Sequence, residues 1–339
     1  MKTTAVIFDA PLSAAFVEEE LAEPGPGEVT VEAILTQIST GTEMICYRGV
    51  ADEGTHWAPF MHYPRHNGYC MLGRVTKVGE GVEEVTVGDR VCATAAHVSH
   101  YNVTMKQLWA APVPDGVSDE DAVWAILGVI TQTGVRMAEH VMGDRAVIIG
   151  LGPLGQLVTQ YLRAMGLREV MVIDRSGGRV QVALEHGANA GFAGDIADAK
   201  AFVEELTAGE LADVVYDVTG HPAVLPQALP LARDHGTLLM LGDCPVPSQQ
   251  CLTYDVVSRQ VRIVGTRSSW LPDAHRRWTP QRQTDLLFSY LQRGDMRLAD
   301  LISHRFTPQQ GAEAYDLLYT RREEPLGVVF DWTQEESGG

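Results

Sequence analysis

The stretch Ala146-Val-Ile-Ile-Gly-Leu-Gly-Pro-Leu-Gly155 limits what this chain can fold into more than any other. Ala146 to Ile149 is a short apolar run rich in β-branched residues, the pattern of a strand buried on both faces. Gly150, Gly152 and Gly155 follow as G-x-G-x-x-G, and residues 156–165 carry an apolar helical face at Leu157, Val158, Tyr161 and Leu162. Strand, glycine loop and helix in that order have a mechanical reading. Gly150 makes the tight turn, Gly152 lets the backbone approach a pyrophosphate, and Gly155 lets the helix pack on the strand. The helix start at Pro153 and Leu154 then offers free N–H groups and a partial positive charge to phosphates.

A second strand, Glu169 to Asp174, ends in an acid about twenty residues on, the separation expected of a carboxylate that grips ribose hydroxyls. Asp174 therefore favours NAD over NADP, whose 2′-phosphate would meet a like charge, and Arg175 beside it tempers that preference. Arg179 is placed to cover the adenine. Thr219 and Leu241-Gly242 end later strands at the carboxyl edge, where the ligand crevice of such a sheet lies.

Strand–helix alternation through 146–149, 170–173, 213–216, 236–241 and 261–264 predicts a doubly wound parallel sheet. The first third reads differently. Residues 3–8 and 29–38 are expected strands around the turn-rich Glu23-Pro-Gly-Pro-Gly27. The chain then turns on Gly41, and an irregular aromatic loop runs from Arg48 to Asn67. Short β-segments follow at 74–78, after Val87, at 101–104 and at 108–111. Ser118 is the expected N-cap of a helix toward Ile126, with a second helix over 131–140. A helix near 281–293, a strand over 301–306, a helix opened by Thr307-Pro308 and a closing strand over 327–332 complete the pattern, and residues 334–339 read as a frayed end.

Composition serves here to exclude. The net charge of −18 is spread along the chain, which argues against nucleic acid and anionic membrane as partners. No apolar run reaches the roughly 18 residues of a membrane span. Met1 to Phe8 reads as a strand and not as a signal, and Cys46, Cys70, Cys92, Cys244 and Cys251 form no C-x-x-C pair. A cytoplasmic protein with reduced thiols is expected.

The order of these parts resembles the medium-chain dehydrogenase/reductase superfamily over essentially the whole chain. Pro24-Gly-Pro-Gly27, Val87-Gly-Asp-Arg-Val91, Gly150 to Gly155, Asp217-Val-Thr-Gly220 and the closing strand–helix–strand fall where that family has them. The resemblance implies a β-rich GroES-like catalytic domain from residues 1–130 and 267–339, a Rossmann domain over 131–266, and a homo-dimer or homo-tetramer. Most alcohol dehydrogenases of the family hold zinc. Here the ligand motifs read Thr40-Gly-Thr-Glu43 in place of C-G-[ST]-D, Gly68-Tyr-Cys70 in place of G-H-E, and Gly128-Val129 at the third position; the structural-zinc cysteines are absent. No inherited ligand survives, and a relocated site would have to draw on Cys46, Cys70, His66 or Glu43. Ile38-Ser-Thr-Gly-Thr-Glu43 with Gly-Tyr is similar to a zinc-free branch that includes the bacteriochlorophyllide dehydrogenases.

The resemblance thus implies hydride transfer between NAD and a secondary alcohol or its ketone without zinc. Positioned hydrogen-bond donors then replace the Lewis acid. Thr42 matches the family's relay hydroxyl, and Tyr69 stands at the zinc-ligand position, as an acid/base if a nearby cation lowers its pKa. His66 and His100 are the candidates for that cation or for the base itself, with His62 and His56 behind them on the aromatic loop. Trp57 and Trp270 are candidate walls of the substrate pocket. The competing readings are a zinc-free NADPH-dependent quinone or enone reductase and a nucleotide-binding protein without catalysis.

Overall fold

The computed structural model describes residues 1–334; beyond Gln334, the expected frayed end lies outside the described residues. The chain divides into two compact units. One comprises residues 1–49, 59–128 and those from 278 on; the other comprises 50–58 and 129–277. Two stretches that the family pattern assigns to the catalytic domain, 50–58 and 267–277, cluster instead with the nucleotide unit.

In the first unit β1 (Lys2–Ala10) pairs antiparallel with β2 (Ser13–Glu20), a strand the sequence did not announce. Its end, Val17-Glu-Glu-Glu20, is poor in strand formers. It holds because Ala15, Val17 and Glu19 lie on the half-buried face while Phe16, Glu18 and Glu20 face water. β3 (Glu28–Gln37) is the long central strand. The short β4 (Arg65–His66) pairs with β1. β5 (Met71–Val78), β6 (Arg90–Ala93), β7 (His100–Thr104) and β8 (Leu108–Ala110) follow near their expected places. Past Gly41 the chain does not merely turn; it forms a helix, Thr42–Arg48. At seven residues this helix is too short to show a 3.6-residue period, and it stops at Gly49, whose left-handed conformation lets its N–H reach the Ile45 carbonyl.

Ser118 caps as expected, its hydroxyl accepting from the Asp121 N–H at 3.1 Å. The helix it opens is brief, Asp119–Ala122, and the second begins at Ala125 and ends at Met137, several residues before each expected boundary. Its threonines disguise it, yet the Thr133 hydroxyl donates to the Val129 carbonyl one turn back, so that buried hydroxyl is satisfied.

In the nucleotide unit β9 (Arg145–Ile149), β10 (Glu169–Asp174), β11 (Ala190–Ala193), β12 (Ala212–Asp217), β13 (Ala232–Met240) and β14 (Arg262–Gly265) form a six-stranded parallel sheet. Its order is β11-β10-β9-β12-β13-β14, so the winding reverses between β9 and β12. Val147, Ile149, Met171, Ile173, Val215 and Leu238 are buried together on the core side. Finally β15 (Ile302–Phe306) and β16 (Gly327–Asp331) return to the first unit and complete a seven-stranded sheet, β15-β16-β3-β5-β6-β8, with β7 also on β3. Among the described residues no helix is long and apolar enough to cross a membrane.

Candidate functional site

The glycine loop has the geometry its spacing demands. Gly150 has φ +91°, and a side chain at Gly155 would place its Cβ 2.0 Å from the Gly150 carbonyl oxygen. At Gly152 a Cβ would meet nothing within 4 Å, so the loop faces open space where phosphate oxygens are expected. Gly152 is also the N-cap of the helix Pro153–Met165, with Leu154 in its first turn, and no side chain caps it. Its leading N–H groups are left for an anion.

Asp174 ends β10 against this loop: one carboxylate oxygen accepts from the Leu151 N–H at 2.6 Å and the other from the Ser176 N–H at 2.8 Å. Arg175 is paired with Asp195 at 2.7 Å. That pairing competes with any 2′-phosphate for the guanidinium. The Arg179 carbonyl accepts from the buried Gln156 side chain, which holds its helix to the loop.

At the end of β12, Asp217 accepts from both the N–H and the hydroxyl of Thr219, and burial pushes its carboxyl above the usual range. The Asp217 carbonyl accepts from the N–H groups of Leu241 and Gly242. A Cβ on Gly242 would lie 2.3 Å from Gly220 N, so two strand ends meet through bare backbone.

The first unit brings three hydroxyls together. Tyr69 Oη lies 2.5 Å from Ser39 Oγ and 3.4 Å from Thr42 Oγ1. Ser39 was not a sequence candidate; its only signal was its place in the Ile38-to-Glu43 hexapeptide. Burial, first, and then Cys70 and Glu43 push the Tyr69 phenol up, while its two hydroxyl partners oppose this weakly. The expectation of a lowered pKa is therefore corrected: among the described residues no cation opposes the burial, and the phenol is pushed up rather than down.

The histidines expected to supply that cation sit elsewhere. His66 is on β4 with Nε2 3.0 Å from Glu19, in an exposed pair. His100, on β7, contacts Ser99 Oγ at 3.2 Å, and burial lowers its pKa despite Glu32. Trp57 is buried in the nucleotide unit, whereas Trp270 is 72% exposed and stacked by Arg267.

Beneath the hydroxyls lies a network that sequence reasoning missed. Glu43, 1% exposed, accepts from the Ser39 N–H at 2.7 Å, Asn67 Nδ2 at 2.7 Å and Tyr315 Oη at 2.5 Å, with His97 Nε2 at 3.0 Å. His97 Nδ1 meets Thr36 Oγ1, which also accepts from Trp332 Nε1. The His97 ring fills the space a side chain at Gly68 would need, 2.5 Å from that Cβ. Glu43 and His97 thus clamp the segments that carry Thr42 and Tyr69. Nothing around Ala95-Ala-His97 signals this in the sequence.

The residues at hand do not make a zinc site. Thr40, Tyr69 and Gly128-Val129 offer no thiolate or imidazole at the ligand positions. The relocated donors are engaged apart: Cys46 Sγ accepts from Arg65, Glu43 is saturated, and Cys70 is buried. Among the described residues no group of three or more His, Cys, Asp or Glu side chains is placed to hold a metal.

Residues 153–278 match the family model described as zinc-binding dehydrogenase. The chain is 26% identical to the starvation-sensing protein RspB of Escherichia coli K12, over 92% of this chain and 94% of that protein. It is 25% identical to the D-guloside 3-dehydrogenase of the same strain, over 96% and 99%. The solved structure of an alcohol dehydrogenase (rspB) from E. coli CFT073 with NADH has the same fold, at a TM-score of 0.80 and 22% identity over 98% of this chain and 99% of that one. Glycine loop, strand order and near full-length similarity agree: the chain resembles the medium-chain dehydrogenases and is an NAD(P)-dependent oxidoreductase acting on CH–OH donors.

Proposed function

We propose that the protein is a zinc-independent dehydrogenase that prefers NAD and interconverts a secondary alcohol and its ketone. The observation that carries this reading is the Ser39–Thr42–Tyr69 hydroxyl cluster, which occupies the segments that match the zinc-ligand motifs of the resembled family. Bound NAD supplies the hydride acceptor; the glycine loop, Asp174, Thr219 and Gly242 are the residues that would hold it. With Ser39 as donor to the Tyr69 oxygen, the phenol proton would be free for the substrate oxygen. Held neutral by burial, Tyr69 steadies the negative charge that grows there as hydride leaves carbon. A relative named for oxidation at position 3 of a guloside supports a secondary alcohol.

The test is turnover after exhaustive chelation, with metal analysis, on a panel of secondary alcohols, ketones and enones. NAD-linked alcohol oxidation that survives chelation is expected. Stoichiometric zinc whose removal stops the reaction overturns the mechanism, and NADPH-linked enone reduction overturns the reaction class.

NAD preference rests on Asp174, whose carboxylate already sits on the loop. Asp174→Ala removes charge-assisted hydrogen bonds. It is expected to raise the NADH dissociation constant roughly 10–100-fold and to narrow the gap to NADPH, read by fluorescence titration. Equal affinities for both cofactors in the native protein would contradict the assignment.

A further inference from the structure

A hydrogen-bond donor helps a reaction only when it is held where charge develops. Ser39 and Tyr69 come from segments 30 residues apart in the chain, and Tyr69 Oη meets the Ser39 and Thr42 hydroxyls at 2.5 and 3.4 Å. Hydroxyl protons rotate to suit their partners, so these contacts alone do not fix the phenol.

Both segments are tied to one carboxyl group. The Ser39 N–H donates to Glu43 Oε1 at 2.7 Å. Asn67, two residues before Tyr69, donates from Nδ2 to Glu43 Oε2, also at 2.7 Å. A third group closes this contact into a triangle. Tyr315 Oη donates to Glu43 Oε2 at 2.5 Å and accepts from Asn67 Nδ2 at 2.9 Å. Glu43, Asn67 and Tyr315 are all buried. Burial first, and then Glu43, push the Tyr315 phenol up, so its proton stays on the oxygen that faces Glu43.

Tyr315 is the member of the triangle that comes from afar. It lies on the helix Gly311–Thr320, 248 residues from Asn67 and 272 from Glu43. Aromatic neighbours fix its side chain: Phe8 of β1 meets it edge-on with centroids 4.7 Å apart, and Tyr47 stacks on it at 5.5 Å. The helix itself is seated on β1, where a Cβ at Gly311 would lie 2.7 Å from Val6 Cγ1. Packing thus sets where the Tyr315 hydroxyl stands, and Glu43 and Asn67 are held to it. Asn67 has little freedom of its own. Its carbonyl accepts from the His97 N–H at 2.9 Å, and Gly68, between Asn67 and Tyr69, has φ +86° with the His97 ring where a side chain would go.

We propose that Tyr315 is a positioning residue for the reaction: through Glu43 and Asn67 it sets how the Ser39 and Tyr69 hydroxyls approach each other. This rests on the dehydrogenase reading. Removing the Tyr315 hydroxyl strands neither of its partners. Glu43 Oε2 keeps Asn67 Nδ2 and His97 Nε2, and Asn67 Nδ2 keeps Glu43. The loss is therefore one of geometry at Ser39 and Tyr69, not of a buried group left without a bond.

The experiment measures kcat, KM and NADH affinity for native protein, Tyr315→Phe, Tyr69→Phe and the double variant on a secondary alcohol. Tyr315→Phe is expected to lower kcat about 10–100-fold, the scale of a small misplacement of a reacting group, with KM and NADH affinity unchanged. In the Tyr69→Phe background the same substitution is expected to change kcat less than about 2-fold, because the hydroxyl it positions is gone. Tyr319→Phe removes an exposed hydroxyl from the same helix, outside the triangle, and is expected to keep the native kcat. Asn67→Ala opens the triangle at its other end and is expected to cost kcat as much as Tyr315→Phe, so it gives the answer if Tyr315→Phe fails to fold. Native kcat in Tyr315→Phe, or an equal loss with and without the Tyr69 hydroxyl, overturns the positioning role alone. NADH binding by the native protein with no turnover on any alcohol or ketone overturns the dehydrogenase reading and the positioning role with it.

Discussion

Replacing Glu43 by alanine is expected to lower the unfolding free energy by about 3–5 kcal/mol, because several buried donors lose their acceptor at about 1–3 kcal/mol each. The carboxylate is 1% exposed and accepts from Ser39, Asn67 and Tyr315, with His97 against the same oxygen as the last two. Without it the Ser39 N–H and the Tyr315 phenol lose their carboxylate acceptor in a buried space, and Asn67 Nδ2 is left with the Tyr315 oxygen alone. Thr36 Oγ1 accepts from the Trp332 indole and lies 2.8 Å from His97 Nδ1, so the network continues past the imidazole. With total stabilities of roughly 5–15 kcal/mol, such a loss is a large share of the whole. Urea titration reads it as a fall in midpoint at constant slope. Glu43→Gln should lie between, because its amide oxygen still accepts while its NH₂ faces donors. A loss below ~1 kcal/mol in the alanine variant would show that the network carries no structural weight.

Tyr69→Phe is expected to reduce kcat by ~10²–10³-fold, the scale of one lost oxyanion donor, with NADH affinity unchanged. Its ring is retained, so the change isolates the hydroxyl that Ser39 and Thr42 approach. The pH dependence has a definite sign. Burial holds the phenol above the ordinary tyrosine range, so the donor proton is still in place as pH rises through ~10. An alkaline loss of rate below that pH, present in native protein and absent in Tyr69→Phe, would mean that the phenol ionises, contrary to this assignment. A rise in KM with constant kcat would mean that Tyr69 only packs against substrate.

Residues adjacent in sequence were read with most success. Strands β9, β10 and β12 and the helix behind the glycine loop lie where periodicity put them, since each reports its own burial through its own neighbours. Short or polar elements escaped. The helix Thr42–Arg48 has too few turns to show a period, and β2 is held by pairing with β1 against the preference of its own glutamates. Thr42 and Tyr69 were chosen by position within a motif, and they do meet. His66 and His100 were chosen for chemistry alone, and each is held by a different neighbour, Glu19 and Ser99.

By itself the sequence determined the dinucleotide-binding half, because steric limits there act over a few residues: only glycine tolerates a carbonyl 2.0 Å from its missing Cβ, as at Gly155. Tertiary structure alone decided the protonation of Tyr69, the closing of Glu43 by Tyr315 from 272 residues away, and the meeting of His56 with Asp243. Desolvation and pairing across such separations depend on what the folded chain lays beside a group, and no local pattern encodes that.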